Sequence, residues 1–233
     1  MRKCIILTFW LISGGLLTAA SAGQPVKNIY SKAFIASVID KVNGYQKAHP
    51  HKQTDQNWKR GTYYTGVMAC YQATGHQKYL RQCNEWGEKH QWSVPEAPPD
   101  ATTSGANLLT CCQTWLESYL VNSEKYKIEP TIAHLESPNL RTPVARPLTY
   151  YFESGRRYVD ALYVCAPTLA MLAHITGDEK YLEWMDAFVW DIYGKLYDVK
   201  EHLFYRDFRF RPEFEGKQFR NLKPDSVKYE EAR

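Results

Sequence analysis

The sequence predicts an all-α protein, and three observations carry that prediction. Apolar residues recur at helical spacing through most of the chain, and only one short stretch alternates as a strand does. A motif returns: Thr74-Gly75-His76-Gln77-Lys78-Tyr79-Leu80 reappears as Thr176-Gly177-Asp178-Glu179-Lys180-Tyr181-Leu182, with a degraded copy, Ser123-Glu124-Lys125-Tyr126, between them. The copies lie about fifty residues apart, the length of one helix–turn–helix unit. Such hairpins stack because one hairpin cannot bury its own apolar face. An open helical solenoid and a closed ring of helical hairpins both satisfy this pattern.

Taken in order, Ser31 to Gln46 reads as an amphipathic helix with Phe34, Ile35, Val38, Ile39 and Val42 on one side. A polar loop, His49 to Gln56, follows. Trp58 to Tyr71 is a second helix, stopped at Thr74-Gly75 by a glycine C-terminus. Gln77 to His90 is a third, and Pro95 to Ser104 is a loop rich in Pro, Thr and Ser. Asn107 to Val121 carries Leu108, Cys111, Trp115, Leu116 and Leu120 at helical spacing. Tyr126 to Leu135 is weaker and broken by Pro130. Ser137 to Tyr150, with Pro138, Pro143 and Pro147, is a long connection. Gly155 to Leu182 is the most apolar stretch, and Asp178 to Leu196 is its partner helix. Pro167 either kinks the apolar helix or marks its true start. Leu203 to Phe210 alternates like a short strand, and the tail from Pro212 is charged without a core pattern.

The first 22 residues have the form of a secretory signal: Arg2 and Lys3, an apolar core from Ile5 to Leu17, then Ala20-Ser21-Ala22. The core is too short for a membrane anchor. Residues 23–233 are therefore expected to form one exported domain, periplasmic or secreted, with no membrane contact after cleavage. That part holds 27 basic and 25 acidic side chains, too balanced for a nucleic-acid partner, and no basic stripe interleaves with aromatics. Five cysteines remain, Cys70, Cys83, Cys111, Cys112 and Cys165, an odd number without a C-x-x-C pair, which favours buried thiols over bridges or a zinc site. No metal constellation and no cofactor motif is present in the sequence.

Asp160 is a single carboxylate in the apolar stretch. Tyr158, Leu162, Cys165, Leu169 and Leu172 line one helix face, and Val159, Val164, Ala166, Ala170 and Met171 fill most of the rest, so burial on several sides is expected. A desolvated carboxyl holds its proton more tightly and can act as a general acid. The structural alternative is a helix N-terminal carboxylate resting on backbone N–H groups.

Four motifs, in order, resemble glycoside hydrolase families 88 and 105, the unsaturated glucuronyl and unsaturated rhamnogalacturonyl hydrolases. They are Trp58-Lys-Arg-Gly-Thr-Tyr-Tyr-Thr-Gly-Val-Met-Ala-Cys-Tyr, Gly105-Ala-Asn-Leu-Leu-Thr-Cys-Cys-Gln-Thr-Trp, Gly155-Arg-Arg-Tyr-Val-Asp-Ala-Leu-Tyr-Val and Leu203-Phe-Tyr-Arg-Asp-Phe-Arg-Phe. Family 105 is slightly the nearer in motif texture. The resemblance implies an (α/α)6 toroid of six helical hairpins. It also implies hydration of the C4=C5 bond of an unsaturated uronic acid at the non-reducing end of a lyase-generated oligosaccharide. Asp160 falls on the catalytic position, and Tyr158 falls where many members stack a Trp on the sugar. Trp58, Asn107 and Arg206 stand in the motifs as substrate-binding candidates. Arg157, or Arg156, is a candidate for the uronate carboxylate by charge alone, the alternative being a solvated loop arginine.

Two departures from the family pattern stand out. Many members carry Asp-His in the second-hairpin motif, where this chain has Asn107 and Leu108, with Asp100 nearby. Past Gly216-Lys217 the family continues into an aromatic-Arg-Gly-Asn-Gly-Trp motif, whereas this chain reads Gln218-Phe-Arg-Asn-Leu-Lys-Pro-Asp. A six-hairpin ring needs roughly three hundred residues, so the toroid is expected to be incomplete, an N-terminal half. Two other functions fit the same residues: a non-catalytic helical-repeat glycan- or protein-binding fragment, and an inverting glycosidase with Asp100, Glu117 or Glu153 as second carboxylate.

Overall fold

The structure, a computed structural model, describes residues 28–50, 52, 54–95, 105–137, 158–207 and 210–212. The expected secretory signal, the prolines from 138 to 147, Asp100, Glu153, Arg156, Arg157 and the tail beyond 212 lie outside the described residues. Those described are predominantly helical: α1 Lys32–Ala48, α2 Trp58–Thr74, α3 Gln77–Lys89, α4 Gly105–Leu108, α5 Thr110–Asn122, α6 Glu129–Glu136, α7 Ala161–Thr176 and α8 Lys180–Leu196. A two-residue hairpin, β1 Tyr197–Asp198 and β2 Leu203–Phe204, follows α8, with Tyr197 opposite Phe204. Of the strand expected over 203–210, the described residues form β2 and one bridge farther on, at Asp207. Pro130 does not break its segment. It lies in the first turn of α6, where its missing N–H costs no helical bond.

The repeat is visible as recurring geometry. Each copy ends one helix with a left-handed residue: Gly75 at φ 70°, Ser123 at φ 58° and Gly177 at φ 70°. The tyrosine that follows donates its hydroxyl to a carboxylate on an earlier helix: Tyr79 to Asp40 at 2.7 Å, Tyr126 to Glu88 at 2.8 Å, Tyr181 to Glu136 at 2.7 Å. Each hairpin is thereby tied to its predecessor. Tyr79 and Tyr181 are buried and Tyr126 is exposed, in keeping with the degraded middle copy.

The centre of the core is α5. Residues 110–116 and Ser118 of that helix are all buried, against α2 on one side and α7 on the other. Gly61 makes room for it, since a Cβ there would stand 2.8 Å from Thr110 Cγ2. Trp86 stacks on Tyr64 at 3.8 Å and meets Trp115 at 4.4 Å, joining α3 to both. α7 is buried on several sides, as expected of the Gly155–Leu182 stretch: Val164, Cys165, Thr168, Leu169 and Leu172 are buried, and Leu162, Ala166 and Met171 pack against the core, while Tyr163 is left 45% exposed. α1 departs from expectation. It buries no residue; Ile35, Val38 and Val42 are exposed, and Val38, Ile39 and Val42 line an open groove of about 520 Å³ along α2. Polar bonds hold it instead: Tyr63 donates to Asn43 at 2.6 Å, Asn43 to Gln82 at 2.9 Å, and Lys78 to Asp40 at 2.5 Å. The five described cysteines are free thiols, four of them buried.

Asp55, in the loop ahead of α2, forms a hub. Its carboxylate receives Arg60 at 3.2 Å, Lys89 at 2.8 Å and His90 at 2.9 Å, while its carbonyl accepts from the Trp86 indole at 3.2 Å. Burial raises its pKa, but the Lys89 and His90 hydrogen bonds and the charges of Lys89 and Arg60 outweigh that and hold it at about 2.

Candidate active site

Asp160 stands one residue ahead of α7 with a helical backbone, φ −63° and ψ −17°. Its carbonyl accepts from the N–H groups of Tyr163 at 2.9 Å and Val164 at 3.0 Å. Its side chain is exposed and caps no backbone N–H. Both sequence readings of its surroundings are therefore corrected. The carboxylate is neither enclosed by the apolar run nor spent on the helix end. The physical reason is where the helix begins. Pro167 lies inside α7 and the first turn starts at Ala161, so the apolar face rotates inward just after Asp160 and leaves that residue at the rim.

The segment after β2 returns to this rim. Val159 N–H donates to the Arg206 carbonyl at 2.9 Å, and Tyr158 pairs with Asp207 in an antiparallel bridge. The Arg206 guanidinium lies 5.5 Å from the centre of the Tyr158 ring and 5.8 Å from that of Phe210. Asp207 is fully buried behind them. Arg206, distant in sequence, is thus brought to the corner that holds Tyr158 and Asp160.

Trp58 is the first residue of α2 and is 37% exposed, with the Lys59 ammonium 5.6 Å from its ring. Asn107 lies half-buried in α4, which packs on α7, and its carbonyl accepts from Thr110 Oγ1 at 2.9 Å. Trp58 opens α2, Asn107 lies in the short α4 ahead of α5, and Asp160 precedes α7, with α5 packed on both α2 and α7.

Three residues that the sequence did not single out link these helices. The Tyr163 hydroxyl meets Thr65 Oγ1 at 2.8 Å, joining α7 to α2, and Gln113 of α5 donates to the Tyr163 carbonyl at 2.7 Å. The only sequence signal was that Tyr163 follows Asp160 by three positions, on the same helix face. Glu117, considered as a second carboxylate, lies on α5 and accepts from Gln72 at 3.3 Å. Burial raises its pKa against that bond, and its Oε2 is buried with no hydrogen-bond partner. Among the described residues no group of three His, Cys, Asp or Glu side chains could hold a metal ion, and no helix is long and apolar enough to cross a membrane.

Comparison with known proteins agrees with the helical architecture. The unsaturated 3S-rhamnoglycuronyl hydrolase of Formosa agariphila is 25% identical over 217 residues, which are 88% of this chain and 54% of that protein. A solved structure described as a polysaccharide lyase superposes with a TM-score of 0.64 at 24% identity, covering 77% of this chain and 51% of the other. A glycosyl hydrolase family 88 structure from Bacteroides vulgatus superposes with a TM-score of 0.60 at 22% identity, covering 76% and 52%. The chain thus spans about half the length of the relatives it matches. The model of Glycosyl Hydrolase Family 88 matches residues 30–223, and the chain belongs to that family.

Proposed function

We propose that this chain carries the acid/base half of an unsaturated uronyl hydrolase site, acting on oligosaccharides left by polysaccharide lyases. The observation that supports this best is the state of Asp160. It is an exposed carboxylate at a helix start, with no capping duty, beside Tyr158 and Arg206. In this reading Asp160 gives a proton to C4 of the C4=C5 bond and takes one from a water whose oxygen adds at C5. The hemiketal that forms opens, C1 is left as a hemiacetal, and the aglycone departs as an alcohol. One carboxylate serves both proton transfers, so the second carboxylate of ordinary glycosidases is not required. Tyr158 offers a ring face to the sugar, Arg206 a positive charge toward the uronate, and Trp58 and Asn107 a second wall.

The test is the ultraviolet absorbance of the conjugated double bond in an unsaturated uronyl disaccharide. Decay with the native chain and none with Asp160→Asn supports the proposal. Decay that survives Asp160→Asn removes Asp160 from the chemistry. Asn107, standing where the resemblance places a carboxylate, favours a second reading in which the chain binds glycans without turning them over. Binding of the disaccharide without decay is its signature.

A further inference from the structure

We infer that Tyr163 is a further substrate-binding residue, and that its phenolic oxygen accepts a hydrogen bond from a hydroxyl of the sugar whose double bond faces Asp160. The inference rests on the functional reading above. It begins with the direction of one hydrogen bond. The Thr65 hydroxyl has a single proton, and the geometry gives that proton an acceptor, the Thr62 carbonyl at 2.8 Å. Thr65 Oγ1 therefore meets Tyr163 as an acceptor, and the Tyr163 hydroxyl donates across the 2.8 Å contact. The phenol has then used its only proton. What it still offers is acceptor capacity, on a side chain that is 45% exposed.

Position selects the ligand group. Tyr163 lies three residues after Asp160, and its N–H is bonded to the Asp160 carbonyl, so the two side chains are neighbours on one face about 5–6 Å apart at Cβ. A ligand with a ring at Asp160 reaches the phenol with the same ring. A carboxylate brings no donor and is not matched by an acceptor oxygen. A ring hydroxyl is matched. The arrangement is held from below, because Gln113 fixes the Tyr163 carbonyl and Thr65 fixes the hydroxyl. The phenol is therefore oriented before any ligand arrives, which reduces the ordering cost of using it.

Calorimetric titration of the full chain with an unsaturated glucuronyl disaccharide, and with its uronate methyl ester, tests this. Tyr163→Phe is expected to bind roughly three- to tenfold more weakly than the native chain, the worth of one neutral hydrogen bond. The same ratio is expected with the ester, which keeps every ring hydroxyl. Thr65→Ser, which preserves the acceptor, is expected to bind as the native chain does, whereas Thr65→Val, which frees the phenol to donate elsewhere, is expected to weaken binding. Native affinity in Tyr163→Phe, with the native chain binding, overturns the inference and leaves the functional reading standing. A ratio that vanishes with the ester assigns Tyr163 to the carboxylate and also overturns it. No binding by the native chain fails the functional reading, and the inference with it.

Discussion

Asp55 and Asp160 both precede helix starts, Asp55 ahead of α2 and Asp160 ahead of α7, yet their surroundings are opposite. Asp55 receives the side chains of Arg60, Lys89 and His90, and its carbonyl holds the Trp86 indole. Asp160 is engaged through its backbone alone, and its carboxylate is exposed. A carboxylate saturated with partners is a fixture, because moving a proton onto it would break several bonds at once. A carboxylate that the fold holds in place but does not use is free to exchange protons with a ligand. The difference separates a carboxylate built into the fold from one left open to solvent.

The sharpest way to break the contrast is to neutralise each aspartate in turn. Asp160→Asn is expected to slow the absorbance decay by at least about a hundredfold, the usual worth of a general acid, with no change in the urea midpoint. A midpoint loss comparable to that of an Asp55 variant would erase the distinction. Asp55→Asn is expected to do the reverse, costing about 2 kcal/mol in urea unfolding as its charged hydrogen bonds weaken. Unchanged stability there would show that the hub is incidental.

Acid sharpens the same comparison. The folded Asp55 carboxyl sits at about 2, below the ordinary value of about 3.9 it recovers on unfolding. Its contribution is therefore fully present above about pH 4 and is lost as pH falls through the folded value. Urea midpoints measured from pH 5 down to pH 2 should fall more steeply for the native chain than for Asp55→Asn. Parallel slopes would contradict the hub.

The smallest effects belong to the repeat tyrosines. Tyr181→Phe and Tyr79→Phe are expected to lower the melting temperature more than Tyr126→Phe, since the first two hydroxyls serve buried rings and the third an exposed one. At Tyr126 the Glu88 hydrogen bond, with burial second, pushes the phenol up to about 12. An equal loss in all three would mean that exposure does not grade these ties.

The helical class and the hairpin period were legible because both depend on short-range pattern. The spacing of Leu108, Cys111 and Trp115 declares a helix, and Gly75 and Gly177 declare its turns. The burial of each face was less legible. Ile35, Val38 and Val42 read as a core face, but nothing in a sequence says whether a neighbour arrives to cover it. Asp160 was legible as the single carboxylate of the apolar stretch, and the resemblance added its expected role, while its exposure depended on whether α7 starts at Ala161 or Pro167, a shift of under two turns. The Thr65–Tyr163 bond was beyond reach, since its partners lie 98 residues apart. The Asp55 hub was passed over as part of a polar loop because its cations come from α2 and the end of α3.

The ties from Tyr79, Tyr126 and Tyr181 all point backward along the chain, each to a carboxylate 38 to 45 residues earlier. As the polypeptide emerges from a ribosome, each new hairpin thus finds its anchor already synthesised. Among the described residues, these three ties need no part of the chain that is made later, the arrangement that suits stacking of repeat units one after another.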